Sequence, residues 1–227
     1  MIVTLVRHGQ ASFHADDYDE LSSLGYSQAQ RLAEMVATFN DPIDAMVTGT
    51  LKRHQQTANT FLTTLGKPIA ASEHCGWNEF DHRDVLKEYV LANPSARADV
   101  LSREPERVLP VLAEAIGRWQ QVADGYKENW NVFEERVQAA WLYLLNTYAE
   151  KKHIWVFTSG GPIATSIIQA LEVEQTHMVG LNTKLMNTSL TRFYCESISA
   201  NNMKIHLLSY NEHTHLTGQY AHLRSYR

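Results

Sequence analysis

The sequence has few cysteines, no clusters of basic residues and no long apolar run. Its two cysteines, Cys75 and Cys195, lie far apart and show neither metal-binding nor redox-motif spacing. Because two thiols cannot form a disulfide framework, we expect a cytoplasmic protein. A net charge of -5 without basic blocks argues against a nucleic-acid partner. No apolar run approaches the length of a membrane span, and the N-terminus shows no signal-peptide pattern, so we expect neither a membrane association nor a secretory signal.

The composition is that of an ordinary globular protein. Apolar residues make up 44% of the 227 residues and charged residues 20%. There is no internal repeat, low-complexity tract or evident linker. The sequence therefore predicts one domain over residues 1–227, with a helical insertion at approximately 84–131 that covers the site.

The apolar patterning predicts alternating strands and helices. Strands are expected at 2–6, 45–47, 68–71 and 153–157, and helices at about 24–39, 51–65 and 162–171. Residues 84–148 have a helical pattern, and 190–195 and 203–210 alternate like two further strands. This order predicts an α/β fold, a three-layer α/β/α sandwich with a mostly parallel central sheet and a helical insertion.

The first strand ends in Arg7, His8 and Gly9. The Arg7 guanidinium is a planar fork suited to phosphate. His8 is a side chain that can act as a nucleophile at neutral pH. Gly9 lets the backbone turn sharply or approach a ligand closely. An isolated Arg-His-Gly would indicate only a polar turn, so the motif needs support from other segments.

Two further strand ends supply that support. Arg53 falls in the first turn of the helix after the second strand, and Ser159, Gly160 and Gly161 follow the fourth strand. Strand ends of a parallel sheet meet at one edge, and a helix N-terminus favours an anion. The residues therefore predict an anion pocket suited to phosphoryl transfer. A site for a bound carboxylate would look similar.

These segments also carry a family resemblance. The Arg-His-Gly turn, the stretch 21–29, the stretch 48–58 around Arg53, the loop 78–80, and Asn211 with His215-Leu216 follow one another in the order seen in the histidine phosphatase superfamily. The chain resembles the branch related to phosphoglycerate mutase. The matches spread over nearly the whole sequence, so together they are specific.

The resemblance implies a ping-pong mechanism through a phosphohistidine on His8. Arg7 and Arg53 would bind the non-bridging phosphoryl oxygens. Glu79 would protonate the leaving oxygen and then activate water, for which partial burial should raise its pKa. No metal and no organic cofactor is implied. Asp81 and Asp84 lie near Glu79 and stay open as alternatives for the acid.

Position 159 departs from the family pattern. The family has a second histidine after the fourth strand, where this chain has Ser159. A serine donates a neutral hydrogen bond, about half as strong as a charge-assisted one. We therefore expect weaker transition-state binding by ~1–2 kcal/mol. The enzyme would then be slower, unless another group supplies the missing charge. Ser159 and Gly160 are the predicted phosphate contacts here, with a helix N-cap as the alternative for Ser159.

Several interpretations remain open at this level. A small phosphorylated substrate is expected, with Phe13 and His14 as candidate pocket residues or plain surface-loop residues. The leading function is a phosphomonoesterase. The alternatives are a phosphoglycerate mutase-type phosphotransferase and a non-catalytic phosphate-binding regulatory protein. A metal site at His213, His215 and His222 is disfavoured because no carboxylate or thiolate accompanies them. The substrate and the oligomeric state are not predicted.

Overall fold

The protein is represented by a computed structural model that describes residues 1–12, 19–102, 104–199 and 202–226. Within these residues a six-stranded sheet is flanked by helices. The strands are β1 Ile2–Arg7, β2 Ala45–Thr48, β3 Ala71–Glu73, β4 His153–Thr158, β5 Leu190–Ser199 and β6 Asn202–Glu212. The α-helices are α1 Ser23–Phe39, α2 Lys52–Leu65, α3 His82–Ala92, α4 Arg97–Ser102, α5 Pro105–Trp119, α6 Trp130–Thr147, α7 Gly160–Leu171 and α8 Met178–Thr183. Short 3-10 helices lie at Cys75–Trp77, Pro94–Ala96, Gln175–His177, Thr214–Leu216 and Gly218–Leu223.

The sheet order is β3-β2-β4-β1-β5-β6. The first four of these strands are parallel, and β5 and β6 add an antiparallel edge. Arg7 at the end of β1 lies opposite Thr158 at the end of β4, and Thr48 of β2 lies opposite Phe157. The carboxyl ends of β1, β4 and β2 therefore meet at one edge, as predicted, and the predicted fold class is confirmed.

Alternation along the strands divides the core into two layers. In β1, Val3 and Leu5 pack on the side of α6 and α7, whereas Val6 packs on the side of α1 and α2. In β4, Val156 faces the first layer and Phe157 the second. All five side chains are fully buried. Because successive strand residues point to opposite faces, two helical layers are needed to cover both.

The helix ends follow local sequence signals. Ser22 caps α1 by accepting a hydrogen bond from the backbone N–H of Gly25. Asn40 ends the same helix in the left-handed conformation, and Gly66 does so for α2. The placement of α2 matters for the site, because its first turn carries Arg53.

Two predictions of the elements need adjustment. The strand predicted at 68–71 lies at Ala71–Glu73, where Ala71 pairs with Met46 and Ser72 with Val47. Pro68 cannot donate a ladder hydrogen bond, so pairing begins after it. The helical pattern predicted for 84–148 consists of several helices, and 120–129 is turns and irregular chain. The described helices include none that is both long and apolar enough to cross a bilayer.

Candidate active site

His8 is fixed at the end of β1 by its backbone and by its ring. Its N–H donates to the Thr158 carbonyl (2.9 Å), and its carbonyl accepts from Asn187 Nδ2 (3.0 Å). His8 Nδ1 lies 2.7 Å from the carbonyl oxygen of Gly9. Because a carbonyl only accepts hydrogen bonds, Nδ1 carries the ring proton. The Nε2 lone pair is therefore the one available for chemistry.

The surroundings of His8 keep its ring neutral. The side chain is buried, and Arg53 Nε donates to His8 Nε2 at 3.2 Å. Burial, followed by the charges of Arg53, His54 and Arg7, holds the pKa of His8 well below its usual range. A neutral imidazole with one directed lone pair is the form that a nucleophilic histidine requires.

Two arginines on different elements act on His8, Arg53 through a hydrogen bond and Arg7 through its charge. Arg53 lies in the first turn of α2, and its Nη1 is 2.6 Å from Asp19 Oδ1. Arg7 ends β1, and its Nη1 donates to the backbone carbonyls of Leu185 and Tyr226. Both guanidinium groups are held by protein oxygens, which reduces the entropy lost when they bind an anion. The structure thus brings together the two predicted arginines and the predicted nucleophile.

Glu79 is positioned by the N-terminus of α7. The Gly161 N–H donates to both carboxylate oxygens of Glu79, at 3.0 and 3.2 Å. Burial raises the pKa of Glu79, against the opposing effects of Arg53, the Gly161 N–H and Arg7. Trp77 and Phe80, its neighbours in the chain, are buried in the apolar core. A raised pKa keeps a carboxyl protonated nearer neutrality, which suits a general acid.

The other two candidates for the acid have structural roles. Asp81 caps α3 by accepting from the N–H groups of Arg83 and Asp84. Asp84 is buried and accepts from the Lys127 N–H at 2.8 Å. Neither carboxylate contacts the α7 N-terminus in the described contacts, so Glu79 is the best placed of the three.

The glycine at position 161 is required by this contact. A Cβ there would lie 2.0 Å from Glu79 Oε1 and 3.0 Å from Phe80 Cδ1. We expect Gly161→Ala to push the carboxyl off the helix N-terminus and to lower kcat/KM for alkyl phosphates by about 10- to 100-fold. Gly117→Ala in α5 is the matched control, because a Cβ there meets nothing within 4 Å. Steady-state assays that find Gly161→Ala as active as Gly117→Ala would contradict this placement of Glu79.

The segment after β4 differs in part from its predicted role. Gly160 packs against Asn182, since a Cβ added at Gly160 would lie 1.9 Å from Asn182 Oδ1. The N–H of the next residue, Gly161, donates to Glu79. Ser159 occupies the N-cap position of α7, in line with the alternative, but its side chain makes no capping bond. Its hydroxyl instead contacts the ring of His54. Phosphate contacts by Ser159 and Gly160 stay predictions.

Three residues near the site were not predicted. Asp19 binds Arg53, Asn187 binds the His8 carbonyl, and His54 reaches Ser159 from α2. The first two lie outside regular elements, where apolar periodicity gives no signal. His54 lies in a stretch with a helical pattern, where nothing in the sequence distinguishes it from an ordinary helix residue.

The remaining candidates are distributed as follows. Phe13 and His14 lie outside the residues that the structure describes. His215 is buried with its Nε2 2.9 Å from Thr188 Oγ1, whereas the rings of His213 and His222 each contact a backbone carbonyl through Nδ1. Among the described residues, no three His, Cys, Asp or Glu side chains are grouped closely enough to hold a metal ion.

Fold and site together define an α/β protein with a histidine, two arginines and a carboxylic acid at one sheet edge. A sequence model of the histidine phosphatase superfamily (branch 1) matches residues 3–207. The chain belongs to this superfamily, so the family predicted from the sequence is confirmed, and with it the class of enzyme, a phosphatase.

Solved structures share the fold at low sequence identity. A mycobacterial glucosyl-3-phosphoglycerate phosphatase with inorganic phosphate has a TM-score of 0.64 and 18% identity, covering 95% of this chain and 99% of that one. A mutant phosphoserine phosphatase from Entamoeba histolytica in complex with phosphoserine has a TM-score of 0.63 and 19% identity, covering 95% and 99%. A mycobacterial protein described as hydrolase 2 has a TM-score of 0.65 and 18% identity, covering 92% and 90%. Among curated proteins, no sequence matches this chain.

Proposed function

We propose that the protein is a phosphomonoesterase that acts on a small phosphorylated metabolite through a phosphohistidine on His8. The observation that carries this proposal is the fixed tautomer of His8. The Gly9 carbonyl holds the proton on Nδ1, and the Arg53 guanidinium faces the lone pair on Nε2. A cation that faces a nucleophile's lone pair is well placed to bind the anionic group that the lone pair attacks.

In the first half-reaction, His8 Nε2 attacks phosphorus in line with the leaving oxygen. The P–N bond forms as the P–O ester bond breaks, and Glu79 transfers its proton to the departing alkoxide. Arg53 must release His8 Nε2 for this to happen. Its guanidinium and that of Arg7 then bind the non-bridging oxygens, where charge develops in the transition state.

In the second half-reaction, the ionised Glu79 takes a proton from water as the water oxygen attacks phosphorus. The P–N bond breaks, inorganic phosphate leaves, and both His8 and Glu79 return to their starting protonation states. The two half-reactions use only side chains of the protein and one water molecule. The same carboxyl serves as acid and then as base, which requires a pKa closer to neutrality than that of an exposed glutamate.

The substrate class is supported by the relatives. Structures that share this fold are described as phosphatases of glucosyl-3-phosphoglycerate and of phosphoserine. Both compounds are small phosphate monoesters with further polar groups. We therefore propose a metabolite of this kind as the substrate. From the low cysteine content we also propose that the protein is cytoplasmic.

A phosphate-release assay over a panel of phosphorylated sugars, amino acids and glycerate derivatives tests the proposal. We expect turnover of at least one compound, with inorganic phosphate as the product. Phosphate recovered instead on a second metabolite would indicate the mutase-type phosphotransferase. Binding of inorganic phosphate without turnover of any compound would indicate the non-catalytic alternative.

A further inference from the structure

His54 is a buried imidazole next to the proposed nucleophile. It follows Arg53 in the first turn of α2 and is fully buried. Its ring centroid lies 5.7 Å from that of His8, with the two planes tilted by 38°. Its Nε2 lies 2.6 Å from Oγ of Ser159, a contact that joins residues 105 positions apart. The site thus contains a second imidazole, although position 159 does not supply it.

The direction of this hydrogen bond depends on which ring nitrogen of His54 carries the proton. Among the described residues, His54 Nδ1 has no hydrogen-bond partner. Both tautomers keep the bond to Ser159, because the hydroxyl can donate or accept, and both leave Nδ1 unsatisfied. An orphaned buried N–H is the rarer of the two cases, which favours the proton on Nε2. In that tautomer Nε2–H donates to Ser159 Oγ, and the Ser159 hydroxyl keeps its own proton for another acceptor.

The ring of His54 is closely packed on two sides. A Cβ on Gly49 would lie 2.2 Å from His54 Nδ1, so the ring lies directly against the residue that follows β2. On its other side, Nε2 already contacts Ser159 Oγ at 2.6 Å, so a larger side chain at position 159 that points the same way would displace the His54 ring. Ser159 follows β4, the strand between β2 and β1, and the residue before it accepts the His8 N–H. The pair therefore extends from α2 across to the strand end beside His8.

We propose that His54 and Ser159 act as one unit in place of a histidine at position 159. His54 donates to Ser159 Oγ, and the Ser159 hydroxyl donates its proton to a phosphoryl oxygen at His8. Donation into the hydroxyl oxygen polarises the O–H bond and strengthens it as a donor, which offsets part of the charge that serine lacks. This inference rests on the proposed function. His54 acts through Ser159 and is thus a positioning residue.

His54 and Ser159 are both fully buried, so the proposed role requires the site to rearrange when substrate binds. Arg53 Nε occupies the position facing His8 Nε2, and a phosphoryl group that His8 attacks must displace this guanidinium. Ser159 and His8 follow two neighbouring strand ends, since Thr158 pairs with Arg7 in the sheet.

Single substitutions at position 54 distinguish the loss of the N–H donor from the loss of side-chain volume. His54→Phe keeps a ring but removes the donor, and we expect kcat to fall about 10- to 100-fold with a smaller change in KM. His54→Gln keeps an N–H donor and should retain more activity than His54→Phe. Wild-type kinetics in both variants, measured on the best substrate of the panel, would overturn the proposal.

Moving the histidine from position 54 to position 159 gives a second test. Its result does not depend on the folding of any single variant. Ser159→His alone should lower activity, because two imidazoles compete for one space. His54→Ala with Ser159→His should recover activity above either single variant. His54→Ala with Ser159→Phe restores volume without a ring N–H and is the matched control. Recovery in the Phe control equal to that in the His variant would show a packing role and overturn the proposal.

The two proposals fail in different ways. If the wild-type protein hydrolyses no phosphomonoester, the proposed function fails before position 54 is tested. If the wild type is active and depends on His8, but the exchange gives no recovery and His54→Phe costs nothing, only the His54–Ser159 unit is wrong. Thermal unfolding of each variant identifies any loss that comes from misfolding.

Discussion

Replacing His8 with alanine is expected to lower kcat/KM for phosphomonoester hydrolysis by at least about 10⁴-fold. The substitution removes the Nε2 lone pair, so the P–N bond cannot form. What remains is binding by Arg7 and Arg53. Arg53 loses its bond to His8 but keeps its ion pair with Asp19, and Arg7 keeps its bonds to the Leu185 and Tyr226 carbonyls. The variant should therefore still bind inorganic phosphate while turnover is lost.

A matched control is His177→Ala, which removes an exposed imidazole whose Nδ1 contacts the backbone carbonyl of Glu174. We expect wild-type kinetics for it. Adding free imidazole to His8→Ala provides a second measurement, because a diffusible nucleophile can occupy the space that the ring leaves. Partial recovery of turnover would assign the loss to the missing nucleophile. A His8→Ala variant as active as His177→Ala would refute the phosphohistidine mechanism.

The intermediate itself can be observed in the same pair of proteins. A phosphohistidine is stable to alkali and labile to acid, so alkaline quenching during turnover should leave a phosphate on wild-type protein. We expect mass spectrometry to locate it on the peptide that contains His8 and to find none in His8→Ala. A phosphate found on another residue would identify that residue as the nucleophile instead of His8.

The sequence predicted those parts of the site that depend on strand ends. The short apolar runs before His8 and Ser159 are strong strand signals, and the ends of parallel strands meet at one edge. Arg53 was predicted with them because its helix follows β2 directly. The prediction needed no side-chain detail, since the topology alone brings these segments together.

Contacts between side chains from distant segments could not be predicted in this way. His54 lies 105 residues from Ser159, and its position in an amphipathic helix is compatible with an ordinary core residue. The same limit applies to Asp19, which reaches Arg53 from a loop without periodicity. The expectation that the site lacks a second imidazole therefore changes. The sequence has no histidine at position 159, whereas in the structure the imidazole of His54, which belongs to α2, lies against Ser159.

Glu79→Gln is expected to produce an effect that depends on the leaving group. An alkoxide is a strong base and needs a proton as it departs, so kcat/KM for an alkyl phosphate should fall about 10²- to 10⁴-fold. A nitrophenolate is stable as an anion, so kcat/KM for p-nitrophenyl phosphate should fall far less. Because kcat/KM reports only steps through departure of the leaving group, this comparison isolates the acid from the later water attack.

The pH dependence adds a second signature of the same group. Burial raises the pKa of Glu79, so its proton stays available above the usual range of a glutamate. With alkyl phosphates, kcat/KM should fall as the pH rises through that raised pKa, and Glu79→Gln should lose this alkaline decline. The pKa of His8 is lowered, so the acidic decline should lie below pH 6.5, the ordinary value for histidine.

Asp81→Asn is the matched control for Glu79→Gln. It makes the same acid-to-amide change two residues away, and asparagine can still cap α3 in the place of Asp81. We expect the Asp81 variant to keep both the rates and the alkaline decline. Equal losses on alkyl and aryl phosphates in Glu79→Gln would show that Glu79 does not protonate the leaving group. The carboxyl held by the Gly161 N–H would then act only in the attack of water or in the shape of the pocket.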